Sequence, residues 1–115
     1  MTDDDEVIVV DNRSRDGTPE MIRVSFPGVR LTTNDSNVGF AVAANIGVGM
    51  ARGRLTLLLN PDTVVSDDSI ERLIECLDGL HGDALIGPRL LEANGTTQRS
   101  AFRFPTPLVL SLIHI

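Results

Sequence analysis

Two short aliphatic runs, each cut off abruptly by an acid or an amide, constrain this chain more than any other feature. Val7, Ile8, Val9 and Val10 lead straight into Asp11 and Asn12. Leu55, Leu57, Leu58 and Leu59, interrupted only by Thr56, lead into Asn60, Pro61 and Asp62. Unbroken apolar runs of this length suit strands buried on both faces, as in a parallel sheet. Residues 29–32 alternate and suit a strand nearer an edge, and residues 84–87 suit a fourth.

Helical signals fall between these runs. Thr18 is placed to cap a helix with Pro19 at its first position and Glu20 in its first turn. Asn37 is placed to cap a second helix, rich in small residues, that runs to about Ala51. Ser66 is placed to cap a third, with Asp67 and Asp68 in the first turn, where the helix dipole favours negative charge. Ile70, Leu73, Ile74, Leu77 and Leu80 then follow at helical spacing. Strand and helix alternate, so the expected architecture is α/β, with a mostly parallel sheet and helices on both faces.

The chain has 115 residues, which sets one domain as the prior. Hydrophobic residues make up 42% and aromatics 3%, so a core is affordable only in Val, Leu, Ile and Ala. The net charge is -6 and no basic stripe with interleaved aromatics occurs, which excludes a nucleic-acid-binding module. Cys76 is the only cysteine, so no intramolecular disulfide can form, and its expected role is a small buried hydrophobe on a helix. The acidic start is unlike a secretory signal, and no apolar run reaches the ~20 residues that span a bilayer. A cytoplasmic protein is the expectation.

In open α/β sheets, ligands bind beyond the carboxyl ends of the strands. The first run ends in Asp11 and Asn12, followed by Ser14, Asp16 and Gly17; the second ends in Asn60, Pro61 and Asp62. Both clusters are expected on one sheet edge, a place for a ligand with polar edges and phosphates. On spacing alone, Asp62 reads equally as a turn residue, since Asn-Pro-Asp is good turn chemistry. Asp16 and Gly17 read as a turn into the first helix. Gly47 and Gly49 fall inside a helical pattern and read as packing residues rather than a dinucleotide fingerprint. His81 reads as a surface-turn residue, and the triplets at Asn12 and Asn94 that match glycosylation acceptors read as chance matches.

The residues Val9-Val10-Asp11-Asn12-Arg13-Ser14-Arg15-Asp16-Gly17-Thr18 resemble the nucleotide-contacting segment of family-2 glycosyltransferases with the GT-A fold. Asn37-Val38-Gly39-Phe40-Ala41 with Asn45 resembles the next helix start of that family. Leu58-Leu59-Asn60-Pro61-Asp62-Thr63 resembles its variant of the Asp-x-Asp motif, and Gly87-Pro88-Arg89-Leu90 and Phe104-Pro105-Thr106-Pro107 fit the segments that follow. Each motif alone is weak; together, in this order, they are specific. The similarity is greatest to rhamnosyltransferase-like enzymes of cell-surface polysaccharide synthesis.

The resemblance implies a partial GT-A-like domain, a Rossmann-like sheet, over residues 1–109. It implies a nucleotide-sugar site built from Asp11, Asn12, Ser14, Asn37, Gly39, Asn45 and Asn60, with Asp62 as ligand to Mg2+ or Mn2+. Asp11 would accept a hydrogen bond from a uracil or thymine imide N–H. Asn60 stands where the usual motif has its first Asp and, being neutral, suits the ribose or sugar. Asn45 is equally a helix-core residue and a donor-site contact. The implied reaction is inverting transfer of a sugar, with dTDP-rhamnose as one candidate donor, onto a glycan or lipid-linked acceptor. The parent enzyme would then work at the cytoplasmic face of the inner membrane.

Inverting transfer needs a general base, which in the resembled family is an acidic residue further along the chain. No residue is assigned that role, and Glu92, beside an expected Asn94-Gly95 hairpin turn, is not promoted to it. The family's first strand is also expected to be missing, so the chain reads as truncated at both ends and weak or inactive alone. Residues 110–115 read Leu-Ser-Leu-Ile-His-Ile, the in-frame translation of a transposon-end sequencing adapter, and are expected to be a non-native tail. Two other classes remain open. A nucleotide-sugar nucleotidyltransferase would carry a Gly-rich basic phosphate loop near the start, absent here. A non-catalytic nucleotide-binding module would bind without turnover.

Overall fold

The computed structural model describes residues 5–66 and 68–98. The expectations for residues 104–107 and for the tail at 110–115 therefore lie outside the described residues, as does Asp67. The elements run β1 (Ile8–Asp11), α1 (Thr18–Ser25), β2 (Arg30–Thr33), α2 (Phe40–Met50) and α3 (Ser69–Asp78). They fall into two compact units that divide between Thr63 and Val64.

In the first unit, β1 and β2 pair in parallel, with Val9 beside Leu31 and Asp11 beside Thr33. Parallel neighbours cannot be joined by a tight turn, and α1 supplies the crossover. The fold is thus α/β with a parallel sheet, as a partial GT-A-like domain requires. α1 starts one residue earlier than its sequence suggests: Gly17, at φ 83, is the N-cap, and Pro19 stands in the second position. The Thr18 hydroxyl and N–H both donate to Asp16 Oδ1, at 2.6 and 3.0 Å, so Thr18 is engaged by the turn before the helix and does not cap it.

α2 packs on β1 through small residues. Ala43 is 8% exposed, and a Cβ built on Gly47 would lie 3.4 Å from Val10 Cγ2. A larger side chain there would push helix and sheet apart, which is why the Gly-Ala-rich run suits this position. The N-cap is Gly39 rather than Asn37. Asn37 Oδ1 instead accepts the Gly39 N–H at 3.0 Å and shapes the turn that precedes the helix.

At the opposite edge a charged clasp joins three segments. Arg30 Nη1 donates to Glu6 Oε2 at 2.6 Å and to the Met50 carbonyl at 2.9 Å. The Arg52 N–H donates to Glu6 Oε1 at 2.5 Å. One orphan carbonyl at the end of α2 is thereby satisfied from β2. The Arg52 N–H, and then Arg30, hold the Glu6 carboxyl below its ordinary value. A carboxyl depressed by folding adds stability above its unfolded-state pKa, and that stability is lost as pH falls through the folded-state pKa. Glu6→Gln is therefore expected to lose a small stability increment near neutrality and to converge with the wild type as pH falls below about 5, which flattens its acid limb. Denaturant melts of both proteins across that range check this; parallel acid limbs would disprove it.

Two expected strands are not formed. Residues 55–59 and 84–87 carry no ladder pairing. Leu57, Leu58 and Leu59 are exposed, Leu58 at 57%. An apolar run becomes a strand only where a partner edge lies against it, since its N–H and C=O groups need acceptors and donors. Among the described residues the sheet has two strands, and neither run reaches it.

In the second unit, α3 takes Asp68 as its N-cap, two residues after the expected Ser66. Ser66 still serves that end, because its carbonyl accepts the Ser69 N–H at 3.0 Å and its hydroxyl meets that of Ser69. Cys76 lies on α3 but is exposed rather than buried. It falls outside the Ile70, Leu73, Ile74, Leu77 stripe, and that spacing decides its environment. The hairpin at Asn94-Gly95 forms as expected: Leu91 bridges Thr97, and Gly95 takes φ 81. Glu92 sits in it, exchanging backbone bonds with Gly95 and Thr96. No helix among the described residues is long and apolar enough to cross a membrane.

Candidate functional site

The carboxyl end of β1 gathers most of the residues singled out above. Asp11, at 6% exposure, is a buried carboxylate at the last position of the strand. Its Oδ2 accepts the N–H groups of Arg13 and Ser14, both at 3.0 Å. This Asx-type turn folds the chain sharply off the strand, with Arg13 held at φ 70, where a non-glycine residue is uncommon. The Asp11 carbonyl accepts the Asn34 N–H at 2.8 Å and extends the pairing with β2 by one bond.

Asn12 faces the other way, into the loop that leads to α2. Its Oδ1 accepts from Asn34 Nδ2 at 3.0 Å and from the Val38 N–H at 3.3 Å. Its Nδ2 donates to the Gly39 carbonyl at 3.3 Å. Asp11, Asn12, Ser14, Asn37 and Gly39 therefore share one sheet edge, beside the N-terminus of α2. Backbone N–H groups at a helix start, together with the helix dipole, favour an anion there.

The remaining candidates are placed differently. Asn45 is an exposed residue of α2, not a helix-core one. Asn60 and Asp62 are exposed in a turn closed by the Thr63 N–H and the Asn60 carbonyl at 3.2 Å. Pro61 and Asp62 occupy its central positions, where Pro presets the first φ. Because residues 55–59 do not join the sheet, pairing does not carry this turn to the β1 edge.

Asn34 is the residue that sequence reasoning missed. Its signal was available: it is the first polar amide after β2, in the same relation to that strand as Asn12 to β1. Among the described residues, no cluster of three or more His, Cys, Asp or Glu could by itself hold a metal. A single exposed carboxylate such as Asp62 nonetheless fits a hard cation whose remaining ligands are phosphate oxygens and water.

The family model for glycosyl transferase family 2 matches residues 1–109. The succinoglycan biosynthesis protein ExoO of Rhizobium meliloti is 43% identical over 74 residues, covering 64% of this chain and 21% of that protein. An N-acetylglucosaminyl-diphospho-decaprenol L-rhamnosyltransferase of Mycobacterium tuberculosis is 26% identical over 112 residues, covering 87% of this chain and 36% of that enzyme. The glycosyltransferase GlyG of Streptococcus pneumoniae is 28% identical over 85 residues, covering 71% of this chain and 28% of that protein. The chain thus spans only a minor part of the length of each. No solved structure gives a significant match.

Proposed function

The chain belongs to glycosyl transferase family 2, and on that premise we propose that its β1 edge binds the nucleoside diphosphate of a nucleotide sugar. The observation that supports this most is the buried Asp11 carboxylate beside the N-terminus of α2. A carboxylate there can accept an imide N–H from uracil or thymine, while the helix start offers backbone donors to phosphate. Ser14, Asn37 and Gly39 line the same edge, and Asn45 and Asn60 are proposed as further donor contacts, Asn60 from a turn that strand pairing does not join to this edge.

Asp62 is the proposed holder of Mg2+ or Mn2+. Such a cation, when bound, would offset the negative charge that builds on the leaving diphosphate. In the parent enzyme, an acceptor hydroxyl oxygen attacks the anomeric carbon from the face opposite the phosphate. The carbon–oxygen bond to the diphosphate breaks, that oxygen keeps the electron pair, and the hydroxyl proton passes to a general base. No described residue is assigned as that base. The transferred sugar is proposed to go to a glycan or a lipid-linked acceptor at the cytoplasmic membrane face. The similarity to a mycobacterial rhamnosyltransferase supports dTDP-rhamnose as the donor to try first.

Calorimetric titration of the chain with dTDP and with UDP, each with and without Mn2+, tests the reading. Saturable binding at or below about 1 mM, tightened by Mn2+, is expected. Absence of binding by either nucleotide at that concentration would reject it in favour of an interaction module.

A further inference from the structure

We propose that Asn12 is a positioning residue: its amide clamps the loop of residues 34–39 onto the carboxyl end of β1, fixing Asp11 relative to the start of α2. The proposal deepens the nucleotide-binding reading and rests on it. A side-chain amide has a carbonyl oxygen that accepts two bonds and an NH2 that donates two. Asn12 Oδ1 already takes two, from Asn34 Nδ2 and the Val38 N–H, and Nδ2 gives one to the Gly39 carbonyl. Its acceptor capacity is therefore filled from within the protein, which leaves no lone pair for a ligand hydroxyl or imide.

The partners lie 22, 26 and 27 residues away in sequence, so the clamp is tertiary and not a local turn. It is reinforced on the main chain, where the Asn34 N–H donates to the Asp11 carbonyl at 2.8 Å. Gly39 completes it. At φ 82 it adopts a conformation that L side chains rarely take, with its N–H on Asn37 and its carbonyl on Asn12. Without the clamp, Asp11 and the helix start would be linked at this edge chiefly through β2. A ligand that uses both would then have to order the loop as it binds, and affinity would fall by that ordering cost.

The test uses amide hydrogen exchange, followed by NMR on the 115-residue chain, and dTDP titration in Mn2+. Wild type, Asn12→Ala, Asn12→Asp and Asn34→Ala are compared, with the β2 amides as the control for global opening. Asn12→Ala is expected to speed exchange at Val38 about tenfold while β2 is unchanged. Asn12→Asp keeps an oxygen facing the Val38 N–H and is expected to restore its protection. Asn34→Ala, at a residue outside the proposed ligand contacts, is expected to weaken dTDP binding about threefold. Unchanged exchange at Val38 in Asn12→Ala overturns the clamp. Faster exchange with unaltered dTDP affinity in Asn34→Ala overturns the positioning role. If Asn12→Ala does not fold, Asn34→Ala carries both readouts. A wild type that binds no dTDP defeats the nucleotide reading instead, and the exchange rates still decide the clamp.

Discussion

Asp62→Ala is expected to bind dTDP in Mn2+ only as tightly as the wild type binds it without metal, a loss of about tenfold to a hundredfold. The prediction is sharp because the substitution should leave the fold alone. Asp62 is exposed, and the turn that carries it is closed by backbone atoms, the Thr63 N–H on the Asn60 carbonyl. Pro61 still presets the turn after the change. Surface substitutions of this kind shift stability by roughly half a kcal/mol or less. A fall in affinity therefore reports a lost interaction with the metal–diphosphate unit, not a lost structure. Asn60→Ala separates the motif's two residues: it removes a neutral hydrogen-bonding group and is expected to leave the Mn2+ enhancement in place. If Asp62→Ala keeps the enhancement, Asp62 is a turn residue only, the reading its spacing alone also allowed.

Much of the first unit was legible because its signals are local. The β-branched run before Asp11 reads as β1, the Pro19 and Glu20 pair as the start of α1, and the small-residue stretch after Gly39 as α2. Each depends on residues within a turn or two of one another. The misreadings share the opposite character. Residues 55–59 have the composition of a buried strand, but a strand exists by its ladder, and composition says nothing about which edge is free. The clasp of Glu6 with Arg30 and Arg52 joins residues 24 and 46 positions apart, and no spacing rule reaches that far. Asn12 was legible as a polar residue at a strand end. Its commitment to Asn34, Val38 and Gly39 was not, because that depends on how closely α2 returns to β1. The candidate site was thus readable as a set of residues, and less so as a division between those that face a ligand and those that hold the others.

Asp11 sits on both sides of that division, and two substitutions at it separate the roles. Asp11→Ala removes the acceptor of the Arg13 and Ser14 N–H groups. Losing two hydrogen bonds to a charged acceptor is expected to cost about 1–3 kcal/mol. Arg13 would also lose the bond that holds it at φ 70. Asp11→Asn keeps an oxygen for the turn and is expected to lose much less stability. For the ligand the order changes. A carboxylate accepts an imide N–H with roughly twice the strength of a neutral acceptor, and an amide can present its NH2 to the same group instead. Both variants are therefore expected to bind dTDP at least about tenfold more weakly, and only Asp11→Ala to unfold at clearly lower denaturant. Wild-type affinity in Asp11→Asn would make Asp11 a builder of the turn and not a reader of the base. Recognition at this edge would then rest on the start of α2 and on Asn37 and Gly39, and the pyrimidine preference argued from Asp11 would lose its ground.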